Sequence, residues 1–203
     1  MPKDSLPREE FMERLSGFDE VERRVVEERL RTNYRRERME FLTEDEAGLL
    51  GAMLDRLIPQ EGSEKVDLVS FMDWAIPNPL GYGDRQEGMP DGATLIREGL
   101  KGVDQAAGSA FAGRLFLDLS DAEKDQVLMS IQQGSAEGEM WKSIPCKEFF
   151  RRLMQKAVAG YCAHPNTWMR IGFYGPAYPE GYVWVSGHEV RARHGKKAGH
   201  LRF

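Results

Sequence analysis

Residues 149–182 read FFRRLMQKAVAGYCAHPNTWMRIGFYGPAYPEGY, and a change of pattern inside this stretch decides how the chain is read. Phe149, Phe150, Leu153, Ala157 and Val158 recur at the three-and-four spacing that gathers apolar side chains on one stripe of a helix. Gly160 reads as the stop, because glycine takes the left-handed conformation that closes a helix. Beyond Pro165 the period gives way to rings among turn formers: Trp168, Phe173, Tyr174, Tyr178 and Tyr182 are spread among Gly172, Gly175, Pro176, Pro179 and Gly181. A loop so rich in aromatics either folds over its own core or covers another protein, since solvated loops gain nothing from them.

The same helical period runs back through the chain. Residues 8–38 are dominated by Glu and Arg, with Phe11, Leu15 and Phe18 as one sparse stripe and Val21, Val25, Val26 and Leu30 as a second. They read as two helices joined near Gly17, the RRERME segment running on as a solvated or partner-facing helix; so polar a stretch either leans on something else for stability or is a surface helix of the same domain. Thr43 with Glu46 forms a capping box that opens a helix over 47–58, stopped by Pro59. An apolar segment follows at 67–76, then a connection at 77–93 holding three prolines and four glycines. A connection of that length is either interfacial or a plain surface excursion. Helical spacing returns over 93–117, with Gly108 and Gly113 as candidate breaks. Ser120 with Glu123 repeats the capping-box logic before a helix that Gly134 ends, and 135–146 reads as a polar loop. Only 182–185 suggests a short strand. The fold class is therefore all-α, an irregular helical domain with long aromatic, Gly- and Pro-rich loops. Its organisation reads as a charged helical extension (1–40), a helical domain (41–186) and a basic tail (187–203).

At 203 residues, 41% hydrophobic and 30% charged, the composition is that of a soluble globular chain. A net charge of −5 argues against a general nucleic-acid binder, and no apolar run approaches the ~20 residues that cross a bilayer. The start, MPKDSLPREEFMERL, has neither a basic segment with an apolar core nor a cleavage-like site. The two cysteines, Cys146 and Cys162, flank the helix of the opening stretch. A straight helix separates them by ~24 Å, beyond disulfide reach, so they read as free thiols unless another chain pairs with them. Arg191, Arg193, Lys196, Lys197 and Arg202 make the last thirteen residues basic, which suits a solvated terminus or an anionic partner.

Catalytic signatures are absent: no GxGxxG after a strand, no GxxxxGK[ST], no HExxH, no GxSxG. All four histidines, His164, His188, His194 and His200, fall in the last fifth of the chain. The last three recur every six residues, which fits neither a helical face nor a common zinc spacing. His164, before Pro165, either reaches a partner's site or satisfies the carbonyls of a helix end. A free-standing enzyme or metal protein using His164 and these histidines is the second reading of the chain. No carboxylate pair stands out for acid–base work.

Four segments in succession, FLTEDEAGLLGAMLDRLIP, FLDLSDAEKDQVLMSIQQG, FFRRLMQKAVAGYCAHP and IGFYGPAYPEGY, resemble the gluconate 2-dehydrogenase subunit 3 family over roughly residues 40–185. The specific part is the C-terminal one, an FF helix, a GY..HP and the aromatic loop. The resemblance implies a small, helical, non-catalytic subunit with no cofactor of its own. Its partner would be a large flavoprotein of the glucose–methanol–choline (GMC) type, which holds the FAD and the catalytic histidine; a cytochrome c or other acceptor takes the electrons. It further implies that this chain stabilises the flavoprotein and oxidises no sugar alone. Such subunits often begin with a twin-arginine signal, and here charged helices stand in that place. That implies a cytoplasmic complex, or a periplasmic one exported with the partner. On this reading the partner-binding residues are His164, Trp168, Phe173, Tyr174, Tyr178 and Tyr182.

Overall fold

Local capping chemistry marks where most helices begin. The structure, a computed structural model, describes residues 6–78, 90–173 and 175. The helices are α1 (Arg8–Leu15), α2 (Glu20–Thr32), α3 (Glu44–Leu57), α4 (Leu68–Ala75), α5 (Gly92–Ala110), α6 (Asp121–Gln133), α7 (Met140–Ser143), α8 (Cys146–Cys162) and α9 (Pro165–Ile171). A single 3₁₀ turn, Phe116–Asp118, precedes α6. No strand occurs among the described residues, so the fold is all-α. The strand suggested at 182–185, the basic tail and most of the 77–93 connection lie outside the described residues.

Two compact units make up the chain, one of Tyr34–Tyr161, the other of Met1–Asn33 with Cys162–Phe203. In the first, α3 opens on the capping box expected of it: the Thr43 hydroxyl accepts from the Glu46 amide while Glu46 accepts from the Thr43 amide at 2.9 Å. At α6 the Glu123 carboxylate accepts from both the amide and the hydroxyl of Ser120, each at 2.8 Å. Gly134 closes α6 at φ 81°, a left-handed conformation that costs glycine little. Met53, Met72, Val103, Phe116, Ile131, Phe149 and Leu153 are fully buried at the centre of this unit. Their burial supplies ~1.5–3 kcal/mol per side chain.

Close approaches in this core are made at glycine. The Phe149 ring lies where a Cβ on Gly99 of α5 would stand, 2.0 Å from it, and Trp141 sits in the same way over Gly102 at 2.6 Å. Phe71 lies over Gly160 at 2.3 Å. Gly160 is therefore no stop. Helix α8 runs through it to Cys162, and glycine is needed there because any side chain would collide with the Phe71 ring.

Three other expectations are corrected in this unit. RRERME does not continue α2: Asn33 and Tyr34 adopt left-handed backbone at φ 49° and 63°, and the chain turns away. The amide of its last residue and the next two are gathered by a buried carboxylate, Asp73 of α4, which accepts from Glu40, Phe41 and Leu42 at 2.8, 2.9 and 2.7 Å. The polar loop at 135–146 contains α7, a single helical turn. The 93–117 helix ends at Ala110, where Ala112 and Gly113 turn left-handed, so Gly113 is the break.

The second unit has its own small core: Leu6, Phe11, Leu15, Val26, Trp168 and Met169. The two N-terminal helices part at Gly17 as expected, α2 starting on Asp19, whose carboxylate accepts from Val21 and Glu22. Val21 and Val25 face outward, and of that stripe only Val26 is buried. Residues far apart in sequence close the unit. Leu6 N–H donates to the Met169 carbonyl at 2.7 Å, and Arg29 donates to the Ala163 carbonyl at 3.0 Å.

Candidate functional site

Helix α8 carries two apolar stripes where the spacing suggested one. Phe149, Leu153, Ala157 and Gly160 form the inner stripe and are buried. Phe150, Met154 and Val158 follow each of the first three by one position, which is a rotation of ~100° about the axis. They form a second, half-buried stripe, in which Phe150 still leans on the core and Val158 is 43% exposed. The single face expected for 149–158 is thus split, because one helix stripe suffices to fill the interior and the next is left over. Beside the surface stripe lies an open groove of about 780 Å³, walled by Phe150, Met154, Val158 and Ala159, with Lys147 and Arg151 on its rim. Gln132 of α6 contributes from the neighbouring helix.

Electrostatics at the groove are set by α8 itself. Glu148 accepts from Arg151 and Arg152, each Nε at 2.8 Å. These hydrogen bonds, chiefly Arg151's, hold its carboxyl down at about 2 against the opposing effect of burial. The Lys156 amine donates to the Ala75 carbonyl at 2.9 Å. Burial first, and the Arg152 charge second, push it below the ordinary lysine range. The carboxylate is held ionised by its arginine partners, and the amine closes the end of α4 through the Ala75 carbonyl.

The residues named as partner-binding are placed unequally. His164 is buried and caps α9: its Nδ1 accepts from the Asn166 amide at 3.1 Å, which puts the proton on Nε2, facing the Arg29 carbonyl at 3.1 Å. It caps a helix start, where the sequence suggested a helix end. With both ring nitrogens engaged in a neutral ring, His164 offers no lone pair to a metal. Trp168 is buried on α9, edge-on to Phe11 at 6.4 Å and to Phe173 at 5.6 Å, and its indole donates to the Cys162 carbonyl at 2.7 Å. Of the set, Phe173 is at the surface, 45% exposed. Tyr174, Tyr178 and Tyr182, like His188, His194 and His200, lie outside the described residues. The stretch after Pro165 is thus helix before it is loop. Proline at the first helical position was the signal for it.

Both cysteines are free thiols, Cys146 buried and Cys162 exposed, at the two ends of the unbroken α8. Among the described residues no three His, Cys, Asp or Glu side chains group as a metal ion requires. No helix among them is long and apolar enough to cross a membrane. Several helix starts, where a phosphate would otherwise find free amides, are occupied by the chain's own side chains: Asp19, Asp67 and Asp91 on α2, α4 and α5, Thr43 on α3 and His164 on α9.

The family model described as Gluconate 2-dehydrogenase subunit 3 matches residues 44–176. The chain belongs to this family. The match begins at the first residue of α3 and runs past the end of α9, so it includes α8 and its groove and leaves α1 and α2 outside. A subunit 3 is by its designation one part of a larger dehydrogenase. No curated protein and no solved structure matches the chain.

Proposed function

We propose that this subunit 3 chain is the small, non-catalytic partner of an FAD-dependent GMC-type flavoprotein that oxidises a sugar or glycoside. It binds the flavoprotein's folded form and so stabilises it, by ~2.7 kcal/mol when present at a hundred times its dissociation constant. The FAD and the catalytic histidine belong to the partner, and electrons leave to a cytochrome c or another acceptor. The complex works in the cytoplasm, or in the periplasm when the partner's signal carries both chains.

The family match across α3–α9 carries this reading. The capped helix starts support its cofactor half, since a pyrophosphate entering at α2, α4 or α5 would meet an aspartate carboxylate in place of free amides. His164, with both ring nitrogens engaged, supports it over the metal-protein alternative. Phe173, exposed beside the buried Trp168, is the described end of the aromatic segment proposed to reach the partner.

Co-expression with a candidate flavoprotein of the GMC type is the test. The expected result is a co-purifying pair whose flavin absorption and sugar oxidation both stay with the flavoprotein, while the chain purified alone is colourless. Stoichiometric FAD in the isolated chain, or sugar oxidation by it, would overturn the reading.

A further inference from the structure

We infer that the groove along α8 seats an apolar segment of the catalytic subunit that is flanked by carboxylates. The inference rests on the proposed function and assigns that partner a place and a chemistry.

The surface stripe Phe150–Met154–Val158 repeats every four residues over ~12 Å of helix, the spacing that receives an amphipathic helix or a short apolar run laid lengthwise. Methionine at its centre, unbranched and polarizable, adapts to the shape of an incoming side chain. Charge then selects the kind of segment. The whole chain carries −5. Helix α8 carries four cations, Lys147, Arg151, Arg152 and Lys156, against one carboxylate, Glu148, which is shared by both arginines and leaves the helix with an excess of three positive charges. Both charged residues lining the groove, Lys147 and Arg151, are cationic. A second copy of this chain seated groove to groove would bring those cations against their own counterparts, which disfavours self-association there. A partner presenting Asp or Glu beside apolar residues meets both the stripe and its rim.

The sign of an introduced charge tests both halves. Val158→Glu and Val158→Lys change the same exposed position, and affinity for the co-expressed flavoprotein is measured by titration calorimetry with circular dichroism as the folding control. Val158→Glu is expected to weaken binding tenfold or more and Val158→Lys only a few-fold, with Lys147→Glu also weakening it and flattening its salt dependence. Should a charged variant fail to fold, Val158→Ser removes the apolar contact alone and is expected to weaken binding about threefold. Wild-type binding with all variants unchanged refutes the groove and leaves the proposed function standing. Equal loss with Glu and Lys refutes the acidic partner. A wild-type homodimer that Val158→Glu dissociates, with flavoprotein affinity unchanged, gives the groove to a second copy and overturns the inference. A wild-type chain that binds no flavoprotein refutes the proposed function itself.

Discussion

The unit Tyr34–Tyr161 and the unit of Met1–Asn33 with Cys162–Phe203 are both helical, yet they are held by opposite means. In the first, helices announce themselves within a few residues: a capping box at Thr43, a Ser120–Glu123 closure and a left-handed Gly134. One continuous core runs from Leu42 to Ala157. In the second, a core of a few side chains is closed by bonds such as Arg29 to the Ala163 carbonyl, 134 positions apart. Long closures carry an entropy cost that short ones avoid, and a small core returns less burial against it. Local signals thus produce a unit with reserve; distant ones produce a unit that each contact must hold.

Removing Asp73 challenges that contrast most severely, because it is a distant contact inside the locally built unit. Asp73→Ala leaves three amides without their buried acceptor and should cost ~4 kcal/mol, read as a lowered urea midpoint with faster amide exchange across α3–α8. A loss under ~1 kcal/mol would mean that segment 35–42 is held by other means.

Trp168→Ala sharpens the contrast from the other side. Loss of a buried indole with two ring contacts should cost ~3 kcal/mol, confined to α1, α2 and α9. Hydrogen exchange should show those helices opening while α3–α8 keep their protection. Uniform loss in both units would dissolve the distinction between them.

Gly160→Ala turns on sign. Glycine in an open helix position would gain ~1 kcal/mol on substitution by alanine. Under the Phe71 ring the added carbon must displace it, and the change should instead cost ~2 kcal/mol. A rise in thermal midpoint would mean that the Phe71 ring moves aside at little cost and that helix propensity decides the sign.

The smallest effect is titratable. Glu148, held at about 2 by Arg151 and Arg152, has a folded value below its unfolded one. It therefore contributes stability that is complete above the unfolded value near 4.5 and is lost as pH falls toward 2. Glu148→Gln should lower the melting midpoint at neutral pH modestly and leave it little changed near pH 2, so that this part of the acid dependence of α8 disappears. A wild-type-like acid profile in the variant would assign the titration to other carboxylates.

What the sequence showed tracks this division closely. Thr43, Ser120, Gly134 and Gly113 act through neighbours within a turn, and each was readable where it stands. Gly160 was misread because its role depends on Phe71, a residue far back in the chain. RRERME was misread because Asp73, on a later helix, holds the amide of its last residue, Glu40, with those of Phe41 and Leu42. Helix α9 had a local signal in Pro165, outweighed by the glycines and rings that follow. At the groove, helical spacing placed Phe150 and Val158 on the same face as Phe149, and periodicity alone does not say where a core stops being full. The exposed stripe needed the packing of α8 to be visible.

One consequence of α8 lies in how the chain can be labelled. It starts with a buried thiol, Cys146, and ends with an exposed one, Cys162. A maleimide added to the folded protein therefore attaches once, and a second adduct records that the large unit has opened, so mass alone counts unfolding events over time. The first adduct sits on the residue whose carbonyl receives the Trp168 indole, so indole emission near that dye follows the small unit. Two clocks, one for each unit, are written into a single helix.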